Sequence, residues 1–278
     1  MDSNMIVLGG DLPVHRLGFG ALRLRPYPAD RANSIAVARR AVELGVRLID
    51  TADAYYLGQN EELLAEALHP YPEGLVIATK AGRVHPGDEW ADVGRPEYLR
   101  QQAEISLRRL RVERIDLFQL HRIDAKVPFE DQMGALKRLR DEGKVRHVGL
   151  SEVSVEEIER ARRIVPIVSV QNLYNRTERR SDDVLDHCER EGIAFMPWLP
   201  VAPSTAASGT DPVARVAERL GVSSTQVALA WLLHRSPVML PIPGTSSIAH
   251  LEENVRAAEL ELSTEDLKLL GTPVPSGV

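Results

Sequence analysis

The sequence predicts an α/β fold: a closed (β/α)8 TIM barrel with a short N-terminal β-hairpin, built as a single domain over residues 1–278. Short apolar or β-branched runs alternate along the chain with stretches of helical period, which is typical of parallel strands joined by helical crossovers. Eight strand–helix units follow one another, and eight units in about 250 residues fit a closed barrel better than an open sheet. No linker divides the chain.

Each element has its own signal in the sequence. MIVLGGDLPVHRL places two short strands around a Gly-Gly-Asp turn, which predicts a hairpin at the floor of the barrel. HRLGFGALRL is the first barrel strand, and further strands are expected at residues 46–50, 74–80, 115–121, 144–151, 166–171, 193–198 and 237–242. Helical periods cover residues 31–45, 95–112 and 128–143, with Pro near their starts and Gly after their last turns. The low-complexity stretch 201–212 is expected to be a loop after the seventh strand.

Composition narrows the class of protein. The net charge is −6 and basic residues are spread among acidic ones, so neither a nucleic acid nor an anionic membrane is expected as a partner. Cys188 is the only cysteine, which excludes an internal disulfide and a cysteine-based zinc site. The eight histidines are too scattered for a metal motif such as H-E-x-x-H, and no apolar run is long enough to cross a bilayer. We therefore expect a cytoplasmic monomer without a metal ion.

Polar residues stand at the ends of three successive predicted strands. Asp50 ends the second strand, Lys80 the third and His121 the fourth. Active sites of such barrels are built at the carboxyl ends of the strands, so these three groups should meet at one mouth. Each residue alone has a structural explanation: a turn-capping aspartate, a lysine that extends to solvent, or a core histidine. Their occurrence at successive strand ends favours a catalytic site.

Motifs along nearly the whole chain resemble the aldo-keto reductase superfamily. IDTADAY, NEELLAEAL, VIATK and LFQLHR stand in the order of that family, and LGFGALRL, GKVRHVGLS, SVQNLYN and PIPGTSSIAHLEEN extend the likeness. The resemblance implies a catalytic tetrad of Asp50, Tyr55, Lys80 and His121. It also implies that NADPH reduces an aldehyde or ketone to an alcohol, with a small carbonyl compound as the substrate.

Within this tetrad, Tyr55 is the expected proton donor. A phenol is a weak acid at neutral pH, and the Lys80 ammonium, paired with Asp50, is expected to lower the pKa of Tyr55 toward the working range. His121 would orient the carbonyl oxygen and share the donor role. Tyr55 fits the family spacing, whereas Tyr56 stands where many relatives carry Gly and is interpreted as an aromatic residue of the pocket rim.

The cofactor site is expected across the barrel mouth. No G-x-G-x-x-G follows the first strand, so a Rossmann site is not indicated, yet hydride chemistry needs a carrier. By resemblance, Ser151 and Gln171 hold the carboxamide of a nicotinamide dinucleotide, Trp198 stacks on its ring, and the loop that follows covers the pyrophosphate. The cofactor residues implied are Gly20, Ala21, Asp50, Ser151, Gln171, Trp198, Leu199, Val201, Gly244, Thr245, Ser246, His250, Glu253 and Asn254.

Two departures from the family pattern concern this cofactor. Glu152 follows Ser151 where many relatives have Asn, which would change one hydrogen-bond partner of the carboxamide. The segment from Gly244 to His250 lacks the Lys or Arg expected near an adenosine 2′-phosphate. NADP(H) remains the expected cofactor, with weaker discrimination against NAD(H). The substrate pocket is expected to include Tyr27, Tyr56, Trp90 and Arg122.

Two other functions are compatible with the same fold. One is a non-catalytic module that senses a nicotinamide nucleotide, as in the potassium-channel beta subunits. The intact tetrad argues against it. The other is an isomerase or aldolase that forms a Schiff base on Lys80. That reading leaves the cofactor motifs unexplained.

Overall fold

A short antiparallel hairpin precedes the main sheet of this computed structural model, which describes residues 4–85, 87, 89–201 and 211–271. Strands β1 (Met5–Leu8) and β2 (Leu12–His15) pair across the predicted Gly-Gly-Asp turn. Their buried side chains Leu8, Leu12 and Val14 pack against residues at the starts of the barrel strands. The hairpin therefore covers the amino-terminal end of the barrel, which confirms its predicted place.

Seven parallel strands follow one another around a curled sheet in chain order. They are β3 (Phe19–Gly20), β4 (Leu48–Asp50), β5 (Val76–Ala81), β8 (Ile115–Leu120), β9 (Val145–Ser151), β10 (Ile167–Gln171) and β11 (Ala194–Phe195). Between β5 and β8 lies a small antiparallel hairpin, β6 (Arg83–Val84) and β7 (Ala91–Asp92). The predicted (β/α)8 fold is confirmed.

The eighth predicted strand, at residues 237–242, does not form a regular strand. The segment still joins β11 to β3: Phe195 N donates to Val238 O over 2.9 Å, and Leu240 N donates to Phe195 O over 2.8 Å. On the other side, Gly18 N and Gly20 N donate to the carbonyl groups of Pro241 and Pro243. Because proline has no backbone N–H, this side of the ladder carries bonds in one direction only. The barrel is thus closed by an irregular eighth segment.

Helices cover the outside of the sheet. They are α1 (Pro28–Glu43), α2 (Gln59–Leu68), α3 (Pro96–Leu110), α4 (Phe129–Asp141), α5 (Val155–Arg162), α6 (Asp182–Glu191), α7 (Pro212–Leu220), α8 (Ser224–Arg235), α9 (Ile248–Arg256) and α10 (Thr264–Leu269). Ser154, Ser223 and Ser263 begin three of them with capping boxes that satisfy backbone N–H groups at the helix start. Among the described residues, no helix is long and apolar enough to cross a membrane.

The closure of the barrel depends on two glycines. A Cβ atom on Gly20 would lie 2.7 Å from Ile242 O, and one on Gly244 would lie 2.5 Å from Gly20 O. Both contacts are with backbone, which cannot rotate away as a side chain can. Gly20 and Gly244 therefore let β3 and the eighth segment approach each other at the mouth of the barrel.

We expect Gly244→Ala to lower the free energy of unfolding by about 1–3 kcal/mol, because its methyl group must push the two segments apart. Gly134→Ala is the matched control, since Gly134 lies within α4 and its added Cβ would meet nothing within 4 Å. That control should be neutral or stabilising by about 0.5–1 kcal/mol, as expected for Ala over Gly in a helix. Urea unfolding measures both, and equal effects would contradict the packing argument.

Candidate active site

A buried ion pair lies at the carboxyl ends of β4 and β5. Lys80 Nζ is 2.6 Å from Asp50 Oδ2 and donates a further hydrogen bond of 2.8 Å to Thr51 O. The Lys80 side chain is fully buried and Asp50 nearly so. Burial alone would lower the pKa of Lys80, but the carboxylate of Asp50 and the Tyr55 hydroxyl outweigh it and leave the pKa above its ordinary value. Lys80 is therefore a fixed cation.

The other oxygen of Asp50 has two amide partners. Gln119 Nε2 donates to Asp50 Oδ1 over 3.2 Å, and Gln171 Nε2 donates to it over 3.0 Å. Sequence reasoning missed Gln119, although it lies two residues before His121 on the same inward face of β8. Gln171 was predicted to hold a carboxamide, and here its amide nitrogen serves Asp50. The aspartate is thus compensated by three donors from three strands.

Tyr55 and His121 stand beside this ion pair. The Tyr55 hydroxyl lies 3.4 Å from Lys80 Nζ, and the Tyr55 and His121 rings meet edge to face with their centroids 6.0 Å apart. Tyr55 follows β4 on a 3₁₀ turn (Tyr55–Gly58), and His121 directly follows β8. The structure therefore brings Asp50, Tyr55, Lys80 and His121 together, as the strand-end argument requires.

The protonation of these two side chains differs in part from expectation. Burial raises the pKa of Tyr55 and exceeds the lowering by Lys80, so the net pKa lies above the ordinary phenol value. The predicted net lowering is therefore wrong, because desolvation of the phenolate outweighs the neighbouring cation. Burial, followed by the charges of Lys80, Arg122 and Arg83, holds the pKa of His121 well below its ordinary value. Both side chains are neutral at neutral pH.

A cavity of about 680 Å³ opens above the tetrad. Tyr55, His121 and twelve of the fourteen predicted cofactor residues line it: Gly20, Asp50, Ser151, Gln171, Trp198, Leu199, Val201, Gly244, Thr245, His250, Glu253 and Asn254. The two others lie outside this lining. Ala21 is buried and its carbonyl accepts a hydrogen bond from Asn60, whereas Ser246 is exposed and its carbonyl accepts one from Asn33. Most of the loop predicted to cover a pyrophosphate falls at residues 202–210, outside the described residues.

The predicted substrate residues divide into two pairs. Trp90 and Arg122 line the cavity. Tyr27 and Tyr56 are not among its lining residues; their rings pack edge to face on each other with centroids 5.6 Å apart. Tyr56 and Leu57 both have left-handed backbones, with φ 53° and 54°. The pocket-rim role expected of Tyr27 and Tyr56 stays a prediction.

Glu152 takes a role that the sequence left open. Its Oε1 accepts a hydrogen bond of 2.7 Å from the indole Nε1 of Trp198 and one of 2.5 Å from the backbone N–H of Leu173. Glu152 has φ 54°, a left-handed conformation that Asn tolerates better than Glu. Its carboxylate therefore fixes the Trp198 ring through the indole N–H, and the Glu152 backbone is strained as a result. Glu152 is not among the residues that line the cavity.

Two further cations line the cavity and were not identified from the sequence. Arg23 lies on the 3₁₀ turn after β3, and Arg83 lies at the start of β6, three residues beyond Lys80. Arg122 donates hydrogen bonds to Ser151 Oγ over 2.9 Å and to His121 O over 2.5 Å. The position of Arg83 just past a strand end is the sequence signal that could have indicated it.

Two further acidic side chains, one on either side of Tyr55 along the chain, are buried. Asp53 and Glu61 are both buried, and Glu61 accepts a hydrogen bond from Thr79 and pairs with Arg109 at 3.4 Å. Asp53 Oδ1 has no hydrogen-bond partner among the described residues, and its Oδ2 lies 3.5 Å from the Tyr98 hydroxyl. Burial, followed by repulsion from Glu61, raises the pKa of Asp53 to about 8. Asp53 is therefore largely protonated at neutral pH.

Comparisons with known proteins identify the family. The Aldo/keto reductase family matches residues 16–271, and the chain belongs to this family of oxidoreductases. It is 39% identical over 282 residues to pyridoxine 4-dehydrogenase of Escherichia coli (strain K12), covering 97% of this chain and 98% of that protein. It is 50% identical over 262 residues to an uncharacterised oxidoreductase of Schizosaccharomyces pombe, covering 92% of this chain and 85% of that protein.

Solved structures agree with this assignment. A thermostable aldo-keto reductase in complex with the inhibitor epalrestat superimposes with a TM-score of 0.86 at 28% identity, covering 96% of this chain and 98% of that one. An aldo/keto reductase from Klebsiella pneumoniae in complex with NADP and acetate superimposes with a TM-score of 0.83 at 26% identity, covering 96% and 94%. Nicotinamide nucleotides are thus cofactors of similar proteins.

Because the pKa of Asp53 is raised, we expect the free energy of unfolding to depend on pH. The Asp53 carboxyl group binds its proton more tightly in the folded protein than in the unfolded chain. Its contribution to the free energy of unfolding is therefore complete below about pH 4 and is lost as the pH rises through about 8. Asp53→Asn removes the ionisation, so the variant should gain stability relative to the wild type between pH 5 and pH 9. We expect a relative gain of at most about 4 kcal/mol, because one linked proton changes stability by about 1.4 kcal/mol per pH unit over about three units.

Thermal unfolding of both proteins across this pH range measures the difference. Asp141→Asn is the control, because Asp141 is exposed on α4 and its pair with Lys137 is a surface interaction. A difference between the Asp53 variant and the wild type that stays constant from pH 5 to pH 9 would contradict the raised pKa.

Proposed function

We propose that this chain reduces aldehydes or ketones to alcohols with NADPH, and that Tyr55 donates the proton. The observation that supports it most is the contact of the Tyr55 hydroxyl with Lys80, 3.4 Å apart, at the floor of a cavity lined by the expected nucleotide-binding residues. The proposed proton donor, the buried cation and the proposed cofactor groove then lie next to one another. This is the set of groups that carbonyl reduction needs.

The residues of the cavity fit a nicotinamide dinucleotide. Gly20 and Gly244 bring the two closing segments together at the mouth, where both residues line the cavity and can contact an extended ligand. Ser151 and Gln171 offer polar groups to a carboxamide, and Trp198, held by Glu152, offers an aromatic face to the ring. Glu253 and Asn254 on α9 would hold the adenine. When bound, the cofactor supplies the hydride that no side chain can supply.

The tetrad has three tasks in this reaction. Tyr55 keeps its proton at neutral pH because its pKa is raised, so it is ready to give that proton to the oxygen of the substrate. Lys80, fixed by Asp50, stabilises the phenolate that remains. Neutral His121 donates a hydrogen bond to the same oxygen and orients the carbonyl group. Because Lys80 is fully buried and held by Asp50, it is poorly placed to attack a substrate as a Schiff-base nucleophile.

The substrate class is open to direct measurement. The similarity to pyridoxine 4-dehydrogenase suggests pyridoxal as one compound for a panel of aldehydes, ketones and sugars. Loss of NADPH absorbance with any of them supports an enzyme. Nucleotide binding without turnover of any compound would favour the non-catalytic sensing module.

Tyr55→Phe should lower kcat for carbonyl reduction by about two to four orders of magnitude, the usual contribution of a general acid. Nucleotide affinity should change little, because the ring and its contact with His121 remain. Tyr56→Phe is the matched control, since Tyr56 packs on Tyr27 outside the cavity lining and should keep its turnover. Steady-state kinetics on both variants separates the two tyrosines. The assignment fails if Tyr56→Phe loses activity and Tyr55→Phe keeps it.

The cofactor preference should be moderate. The adenosine 2′-phosphate would be read by Thr245, backbone N–H groups near the start of α9 and His250, without a Lys or Arg in this segment. A hydrogen bond to a charged group contributes about 1.5–3 kcal/mol, which corresponds to a preference for NADPH over NADH of roughly tenfold to a hundredfold.

Quenching of tryptophan fluorescence by each nucleotide gives the two dissociation constants. His250→Phe should reduce the ratio between them. His234→Phe on α8, outside the cavity lining, should leave it unchanged. Equal affinities of the wild type for NADPH and NADH would mean that this segment does not read the 2′-phosphate.

A further inference from the structure

The cavity carries an excess of positive charge on the side of His121. Arg83 and Arg122 both line it, and both guanidinium groups stay charged at any physiological pH. Of the two carboxylates that line the cavity, Asp50 is already neutralised by Lys80, and Glu253 lies on α9 in the predicted adenine site. The charge beside His121 is therefore not balanced by the cavity itself.

Arg83 is poorly compensated among the described residues. Its Nε is buried without a hydrogen-bond partner there, and its nearest carboxylate, Asp92, lies 3.6 Å away across the β6–β7 hairpin. The guanidinium carbon stacks 4.8 Å from the centre of the Trp90 ring, which fixes the position of the group. Arg83 is thus held in place with hydrogen-bonding capacity to spare.

Arg122 makes hydrogen bonds only to neutral oxygens among the described residues. These are Ser151 Oγ and the His121 carbonyl. Burial, followed by repulsion from Arg83, lowers the pKa of this guanidinium, and attraction to the carboxylates of Glu152 and Asp92 offsets that lowering only in part. The two arginines therefore lie close enough to repel each other. An anion between them would relieve this repulsion and could accept bidentate hydrogen bonds.

The geometry identifies which molecule would carry that anion. Trp90 contacts residues of both kinds: its ring centroid is 6.3 Å from that of His121, and the Arg83 guanidinium carbon lies 4.8 Å from its centre. Arg83 and Arg122 lie on the loops after β5 and β8, beside the carbonyl-orienting His121. Most of the nucleotide residues come instead from β3, from the ends of β9, β10 and β11, and from the segment before α9 and α9 itself, although Arg122 also reaches Ser151 at the end of β9. The position of Arg83 on the β5 side, beside His121, favours an anion carried by the substrate.

We propose that Arg83 and Arg122 form a subsite for a carboxylate or phosphate group at the far end of the carbonyl substrate, with its apolar part beside Trp90. The natural substrate is then an anionic aldehyde or ketone. This inference rests on the proposed carbonyl reduction. It makes the two arginines determinants of specificity rather than of chemistry.

The test compares anionic aldehydes with neutral partners of similar shape. The carboxylate pair is 4-formylbenzoate and its methyl ester, and the phosphate pair is glyceraldehyde 3-phosphate and glyceraldehyde. The measured quantity is the ratio of kcat/KM, anionic over neutral, for the wild type, Arg83→Met, Arg122→Met and Arg100→Met. Because the two aldehydes of a pair differ in reactivity, the test compares the ratio of each variant with the ratio of the wild type. Arg100 is the matched control, an exposed arginine on α3 outside the cavity lining.

We expect Arg83→Met and Arg122→Met each to lower the ratio by about tenfold or more in at least one pair, because each loses a charge-assisted hydrogen bond to the anion. Arg100→Met should leave the ratio unchanged. Raising KCl from about 0.05 M to about 0.5 M should lower the wild-type ratio, since salt weakens the attraction between an approaching anion and the partly exposed arginines and chloride competes for them. The pair that responds tells whether the anion is a carboxylate or a phosphate.

The subsite is overturned if Arg83→Met or Arg122→Met leaves the anionic-over-neutral ratio unchanged in both pairs. It is also overturned if Arg100→Met lowers the ratio as much as they do. If a methionine variant does not fold, Arg83→Gln and Arg122→Gln replace it, and the salt dependence of the wild type still decides. A wild-type ratio insensitive to salt would then count against the proposal. If the wild type turns over none of the four aldehydes, the proposed carbonyl reduction fails instead, which keeps the two failures distinct.

Discussion

The ion pair between Lys80 and Asp50 constrains the rest of the site. Taking an ammonium and a carboxylate out of water is costly, and their mutual attraction offsets this cost only if the remaining hydrogen bonds are also made. Here they are made by Gln119 and Gln171 on Asp50 and by the Thr51 carbonyl on Lys80. These side chains come from β4, β5, β8 and β10, so half the barrel must keep its register for the pair to survive. Removing one partner of such a pair costs about 3–5 kcal/mol.

The same pair determines the state of Tyr55. A phenol in a dry site resists ionisation, and in this protein that effect exceeds the attraction of the nearby ammonium. The cation therefore does not create a phenolate at rest. In the proposed reaction the cation would lower the energy of the phenolate formed when the proton leaves, which is where stabilisation accelerates a reaction. Burial would then keep the proton on Tyr55 before the reaction, and Lys80 would stabilise the phenolate after the proton has left.

Backbone strain is concentrated around this centre. Five non-glycine residues among those described have positive φ, and three of them, Tyr56, Glu152 and Leu199, directly follow residues that line the cavity. Tyr56 and Leu57 follow Tyr55, Glu152 follows Ser151, and Leu199 follows Trp198. Each such conformation costs about 1–3 kcal/mol and persists only where the surroundings enforce it. In the case of Glu152 the compensation is visible, because the kink brings its carboxylate to the indole N–H of Trp198.

The order of strands and helices, the hairpin and the meeting of Asp50, Lys80 and His121 all followed from sequence periodicity. Parallel strands put their carboxyl ends at one edge, so a polar residue at a strand end has a predictable place. The resemblance to the family pattern, and not periodicity, distinguished Tyr55 from Tyr56. Periodicity alone would have indicated Gln119 as well, because it shares the inward face of β8 with His121.

The rest depended on tertiary contacts that no local pattern encodes. Two left-handed residues determine the path of the chain after Tyr55, and prolines opposite β3 prevent a regular strand in the eighth segment. The pKa of Tyr55 depends on how much protein surrounds it, and the partner of Glu152 lies 46 residues away along the chain. The sequence by itself determined which groups are present and at which end of the barrel they stand. Their charge states and partners were decided by burial, because desolvation depends on the whole packed structure.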